Sequence, residues 1–264
     1  MNPYRVQDDV FAIPQEEPVP GYGVLPVLSY LLLGREPVLF DTGMARTREE
    51  FLRKLEQVVD PADIRWVVLS HPDADHAGAL AQVLERAPCA RLVLNMVSTG
   101  KLSGSMAPPM PRVTWMNAGE SLALADRVLH FLPAPMYDCP STVTVFDSKS
   151  GALLASDAYG AFVPQAAERF ADLPEAAVLD GMSTFCRVNS PWLADVRPDR
   201  YARALRAHAA LSPSWVLPAH LPAATGQEFR RVLARAAGLP LEGRVPLPGQ
   251  AALDAALASA ARAA

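Results

Sequence analysis

The chain has 264 residues, enough to bury a full core and near the upper end for one domain. Half of the residues are hydrophobic and 7% aromatic, a globular composition, while a net charge of −4 and a pI near 5.7 argue against nucleic-acid partners and anionic membrane surfaces. No apolar run approaches the ~20 residues that span a bilayer, and the N-terminus MNPYRVQDDVFAIP has acids and Pro where a secretion signal needs a basic end and an apolar core. A cytoplasmic protein with no nucleic-acid or membrane partner is therefore expected. The three cysteines, Cys89, Cys139 and Cys186, are odd in number and form no CxxC pair, so reduced thiols are expected rather than a disulfide framework.

In chain order, strand-like apolar runs occupy Leu28–Leu33, Val38–Phe40, Trp66–Leu69, Leu92–Leu94, Val128–Leu132, Val143–Phe146, Leu153–Ala155 and Trp215–Leu217. Helical spacing marks Thr47–Val59, Ala77–Arg86, Arg200–Leu211 and Gly226–Ala237, with Asp60-Pro61 ending the first. Strands and helices alternate through both halves, which predicts α/β layers with helices covering the sheets. The pair 143–146 and 152–155, joined by DSKSGA, makes part of the sheet antiparallel. Pro-rich stretches at 14–26, 108–111, 133–140 and 240–248 read as loops, the last as a linker. The Ala-rich tail that follows has high helix propensity, with Leu253 and Leu257 one turn apart. Such a tail is either a terminal helix that packs on the domain or frays, or a connection to a partner or a further module. No repeat of 20–50 residues is visible.

Polar clusters follow five strands: Asp41-Thr42-Gly43, His71 to His76, Met136-Tyr137-Asp138 after a Pro-rich turn, Asp157 and His220. Strand ends that share one sheet edge converge on a crevice. The densest cluster is WVVLSHPDADHAGAL, with His71, Asp73, Asp75 and His76 within six residues. Imidazole and carboxylate together suit zinc, iron or manganese, and the absence of cysteine ligands disfavours a structural zinc. Residues at i, i+2, i+4 and i+5 of a tight loop can face two points a few ångströms apart, so one loop can serve two metals. Asp75 is also a reasonable N-cap for a helix beginning near Ala77, but a cap needs one polar residue rather than four. His130, inside a strand, reads as structural, and His208, mid-helix in RYARALRAHAALS, as a surface residue.

The pattern HxDxDH after an apolar strand resembles the HxHxDH signature of the metallo-β-lactamase superfamily. SYLLLGREPVLFDTG, DPADIRWVVLSHPDADHAGAL, HFLPAPMYDCPSTVTVF and GALLASDAYGAF resemble, in order and spacing, successive blocks of the diiron domain of flavodiiron proteins, from about residue 28 to 222. That resemblance implies an αββα sandwich of two mixed sheets flanked by helices over residues 1–240, followed by the Pro-containing linker and Ala-rich helix of 241–264. It implies that His71, Asp73 and Asp138 hold one metal, that Asp75, His220 and His76 hold the other, and that Asp157 bridges them. Two departures stand out. Asp73 replaces the family's Glu, and Asp138 replaces its His; if Asp138 does not reach, Tyr137 or water must complete the first metal's ligands. Carboxylate-rich ligation favours two iron ions over two zinc ions. Asp41 in FDTG is expected to accept hydrogen bonds from loop N–H groups or a ligand histidine. Tyr159 and Tyr137 are candidates to donate a hydrogen bond to bound dioxygen or peroxide, and Cys139 reads as a small buried residue.

In flavodiiron proteins an FMN-bearing domain follows the diiron domain, whereas about 44 residues follow His220 here, without a GxGxxG loop. The resemblance therefore points to a sensor-type protein whose diferrous site binds dioxygen, or another small diatomic or peroxide, as a lasting peroxo-type adduct. A signalling partner or homodimer would carry the signal. An O2 or NO reductase served by a separate redox donor is the alternative within the same chemistry. A zinc-dependent hydrolase of the same fold is the alternative outside it, weakened by Asp73 where the zinc signature has imidazole.

Overall fold

The computed structural model describes the backbone of residues 1–263 and the side chains of residues 1–258. Among the described residues, thirteen strands form two mixed sheets. The first sheet contains β1 (Tyr4–Gln7), β2 (Val10–Val19), β3 (Gly23–Leu32), β4 (Val38–Phe40), β5 (Trp66–Val68), β6 (Arg91–Leu94) and β7 (Val113–Trp115), in that order. β1 to β4 are antiparallel neighbours, and β4 to β7 run parallel. The second sheet has the order β13 (Ala224–Thr225), β12 (Trp215–Pro218), β11 (Ala152–Ser156), β10 (Val143–Asp147), β9 (Val128–Pro133) and β8 (Ser121–Ala123). Only β11 and β12 pair in parallel in this sheet.

The period-2 alternation of the strands builds the layers. Val38, Phe40, Val68 and Val93 meet Phe131, Val145, Leu154 and Leu217 in a core between the two sheets. Their sequence neighbours Leu39, Val67 and Leu92 point the opposite way, onto α1 (Arg48–Glu56) and α2 (Leu80–Arg86). Leu153 and Val216 likewise meet α4 (Glu175–Asn189), α5 (Pro198–Ala210) and α6 (Gly226–Ala237). The architecture is thus helix, sheet, sheet, helix, with runs buried on both faces as parallel strands require.

The expected strands form, but the first Pro-rich stretch is not a loop. Residues 10–19 and 23–32 make a hairpin of two ten-residue strands. Its prolines are tolerated because β1 covers β2 only from Val10 to Ala12, leaving Pro14 and Pro18 on an open edge where no N–H is required. Two helices escaped the periodicity. One is α3 (Met96–Leu102), capped by the Asn95 side chain on the Ser98 N–H, and the other is α4. The helix expected from Ala77 begins at Leu80, and Asp75 does not cap it. The Ala-rich tail is helical as α7 (Gln250–Ala263), with Leu253 and Leu257 exposed.

Candidate metal centre

The site lies where β4, β5, β11 and β12 end. These ends are tied across the sandwich: the Leu28 N–H donates to the Ala219 carbonyl at 2.8 Å, the Val143 N–H to Ser70 at 3.1 Å, and Ser156 Oγ to Ser70 Oγ at 2.8 Å. The FDTG turn clamps the loop of residues 71–76. Both the N–H and the hydroxyl of Thr42 donate to the His76 carbonyl, and Gly78 donates to the Gly43 carbonyl at 2.8 Å. A Cβ on Gly78 would overlap Ala45 N and the Met44 carbonyl carbon, so only Gly permits this approach. Three non-Gly residues on the backbone segments that carry the site, Asp41, Ser156 and Tyr159, hold left-handed φ of 61°, 52° and 69°. Each costs on the order of 1–3 kcal/mol, which the surrounding hydrogen bonds must offset.

Hydrogen bonds outside the cluster set the tautomer of each histidine inside it. His76 Nδ1–H donates to Asp41 Oδ2 at 2.8 Å, and His220 Nδ1–H to the Pro26 carbonyl at 2.7 Å. The Nδ1 of His71 lies 3.1 Å from Ser70 Oγ, whose own hydroxyl donates to Asp41 Oδ2 at 2.8 Å. All three Nε2 lone pairs are thereby turned inward. Asp41 also accepts from the Ser70 N–H at 2.8 Å, so it takes both kinds of bond expected of it.

The seven candidate ligands fall into three overlapping groups: His71, Asp73 and Asp138; His71, His76 and Asp157; and Asp75, His76 and His220. Within each group one ligand atom per residue lies within 4.8 Å of the others. Asp157 faces both ends. Its Oδ2 is 3.6 Å from His71 Nε2, while its Oδ1 is 2.9 Å from His76 Nε2 and 3.4 Å from His220 Nε2. Asp75 Oδ2 lies 3.6 Å from His76 Nε2 and 3.4 Å from His220 Nε2. Asp73 and Asp138 approach His71 Nε2 at 3.8 and 3.9 Å. His71, His76, His220 and Asp157 are buried, whereas the side chains of Asp73, Asp75 and Asp138 are 38%, 37% and 35% exposed and form the mouth.

The donor set fits a pair of cations. His76 Nε2 and Asp157 Oδ1 are buried and lack a hydrogen-bond partner despite their 2.9 Å approach. Two lone pairs at that distance repel unless a cation or a proton joins them. Four carboxylates and three neutral imidazoles carry four negative charges, which two divalent ions would balance. The titration behaviour reflects this demand for positive charge. Burial disfavours the His76 imidazolium, but Asp75, Asp157 and Asp41 outweigh it and raise His76 well above its ordinary value. Burial likewise disfavours the Asp157 carboxylate, yet the surrounding histidines hold it well below the usual carboxylate range. Burial and the neighbouring Asp157 and Asp73 carboxylates push Asp138 up to about 7.

Tyr159 is not part of this cluster. Its ring is fully buried among core side chains, and its hydroxyl meets His208 Nδ1 at 2.9 Å, so a direct hydrogen bond to a metal-bound ligand is not what the fold provides. His208 is correspondingly buried rather than exposed. Tyr137 is half-buried beside Asp138, its ring 4.9 Å from that of Trp192 and its carbonyl accepting from Trp192 Nε1 at 2.8 Å. Cys139 is buried, with Lys101 Nζ and Ser141 Oγ each 3.0 Å from its sulfur. Three contributors were not foreseen from the sequence. Ser70 and Ser156 surround His71 Nδ1, each one residue before a candidate ligand, a position that could have flagged them. Asn189, at the end of α4, donates to Asp157 Oδ2 at 3.2 Å, and nothing in its sequence context signals that role.

The family profile described as ODP family beta lactamase matches residues 26–196. Over 151 residues the chain is 28% identical to a nitric oxide reductase from Moorella thermoacetica, covering 57% of this chain and 38% of that protein. Rubredoxin oxygen:oxidoreductase from Desulfovibrio gigas superposes with a TM-score of 0.75 at 20% identity, over 89% of this chain and 61% of that one. The flavodiiron protein of Giardia intestinalis gives 0.76 at 18% identity, over 91% and 59%. These superpositions establish the shared αββα fold, and the chain spans less than two thirds of each of these relatives.

Proposed function

The chain belongs to the ODP family of β-lactamase-fold proteins, matched over residues 26–196, and from that premise we propose that its cluster holds two iron ions and binds dioxygen or nitric oxide. The carrying observation is Asp157, whose two oxygens face different histidine groups while His76 Nε2 and Asp157 Oδ1 stay buried without hydrogen bonds. The names of the similar proteins, a nitric oxide reductase and an oxygen:oxidoreductase, support the class of ligand. Hard carboxylate ligands beside imidazole, with no thiolate in the set, favour iron.

When bound, the metal pair supplies Lewis acidity and electrons for binding and reducing a diatomic. The chain's residues do the rest. Asp41, the Pro26 carbonyl and Ser70 hold the imidazoles in one tautomer and one orientation. Asn189 restrains the Asp157 carboxylate. The half-exposed Asp73, Asp75 and Asp138 form the side from which a ligand approaches. Electrons for turnover come from a separate donor in this reading. A sensor would use the same site and differ by retaining its ligand.

The test is anaerobic loading with ferrous iron, a metal count, and mixing with dioxygen or nitric oxide with and without a reduced donor. About two irons per chain and a visible band on mixing support the reading. Donor-dependent turnover identifies a reductase, and a band persisting in the donor's presence identifies a sensor. Two zinc ions retained under iron excess, with no response to either gas, would sink it.

A further inference from the structure

Tyr159 and His208 form a hydrogen-bonded pair in the core that the metal cluster does not use. Both are fully buried. The Tyr159 hydroxyl and His208 Nδ1 are 2.9 Å apart, while His208 Nε2 lies 3.1 Å from the Pro133 carbonyl and 3.2 Å from Thr144 Oγ1. The carbonyl can only accept, so Nε2 carries the ring proton and Nδ1 presents its lone pair to the phenol. Phe229 stands edge-on to the Tyr159 ring at 5.1 Å, within the apolar core around α4, α5 and α6. A core aromatic needs neither a polar partner nor strained backbone; Phe would fill the same space. Tyr159 has both, with its φ of 69° two residues beyond Asp157. Two peptide units limit the Cα–Cα distance between Asp157 and Tyr159 to about 7.6 Å. The Tyr159 backbone is therefore held close to that of the bridging candidate, and its phenol is shielded from solvent.

We infer that Tyr159 is a one-electron donor to the metal pair, and that His208 takes the phenolic proton as the electron leaves. This rests on the diiron reading above. Reduction of dioxygen to water takes four electrons. Two ferrous ions would supply two, Tyr159 the third and an external one-electron donor such as ascorbate the fourth, while the four protons that enter water would come from solvent. As Tyr159 is oxidised its O–H bond breaks, and the proton travels the existing hydrogen bond to form N–H at His208 Nδ1. The products are a neutral phenoxyl radical and an imidazolium. Both N–H groups of that imidazolium stay bonded, one to the phenoxyl oxygen and the other to Pro133. A second reductant molecule later returns the electron, and the proton moves back to oxygen. The pair thus holds an oxidising equivalent in the core, away from the ligands.

The test uses the full chain loaded anaerobically with ferrous iron and counted for metal. The sample is exposed to dioxygen with one equivalent of ascorbate and frozen for electron paramagnetic resonance. A tyrosyl signal is expected that narrows when the tyrosine carries deuterium at Cβ, a result needing no mutation. In Tyr159→Phe the signal should vanish while the iron count holds. In His208→Gln its lifetime should fall at least tenfold. An iron-loaded wild type that gives no radical, or a radical undiminished in Tyr159→Phe, overturns the inference. Failure to take up iron overturns the diiron reading with it, and the metal count shows that before oxygen is added.

Discussion

At the scale of single residues, the cluster works by division of labour around one carboxylate. Asp157 faces His71 with one oxygen and His76 and His220 with the other. Asp157→Ala should therefore abolish loading of both metals, taking the count from about two per chain to near zero. Full occupancy would remove the bridging assignment. Asp138 approaches only the His71 end, so Asp138→Ala should cost one metal and spare the other. Wild-type affinity at both positions would show that Asp138 is no ligand. Asp41 touches no metal position, but it fixes the ring proton of His76 on Nδ1. Asp41→Asn can present an N–H there and disturb the tautomer, and metal affinity should fall about 10–100-fold, measured by competition with a chelator.

At the scale of elements, the site depends on how closely the turn after β4 presses on the loop after β5. Gly78 is the contact point, and Gly78→Val should displace that loop and lower metal occupancy even though it alters no ligand. Unchanged occupancy would mean the loop can shift without moving His71 or His76. On the opposite side, α5 carries His208, and burial pushes this imidazole from its ordinary 6.5 down to about 4. Between those values the unfolded chain holds a proton that the folded chain does not. The contribution is thus fully present above 6.5 and lost as pH falls toward 4, on the order of 3 kcal/mol. Denaturant titrations of the metal-free protein should show this slope in the wild type and a shallower one in His208→Gln. The cluster's own titrations are common to both proteins and cancel in the comparison.

At the scale of the whole molecule, two sheets bring together residues as distant in sequence as Pro26 and His220. Seven ionisable side chains crowd that junction, so chelation should lower the thermal midpoint of the loaded protein by several degrees, reversed by returning iron. The layer order was legible in the sequence because strands buried on both faces read as apolar runs and amphipathic helices carry their own period. The candidate ligands were legible because four of them share one short loop and the others lie shortly after strands. The β2–β3 hairpin was not, since open-edge prolines look like loop prolines until the pairing partner is known. His208 sits at a helical position that local spacing leaves in solvent, and only the return of α5 against β9 and β10 buries it. Tyr159 beside Asp157 in sequence suggested a shared site, yet its left-handed backbone sends the ring into the core. The sequence by itself determined which side chains are chemically able to bind metal and which strands deliver them, because composition and local periodicity are properties of neighbours along the chain. The tertiary structure alone decided which nitrogen of each imidazole faces inward and which phenol does not, because His76, His220 and Tyr159 bond partners 35 to 194 residues away and the neighbour of His71, Ser70, is itself oriented by Asp41, 29 residues away.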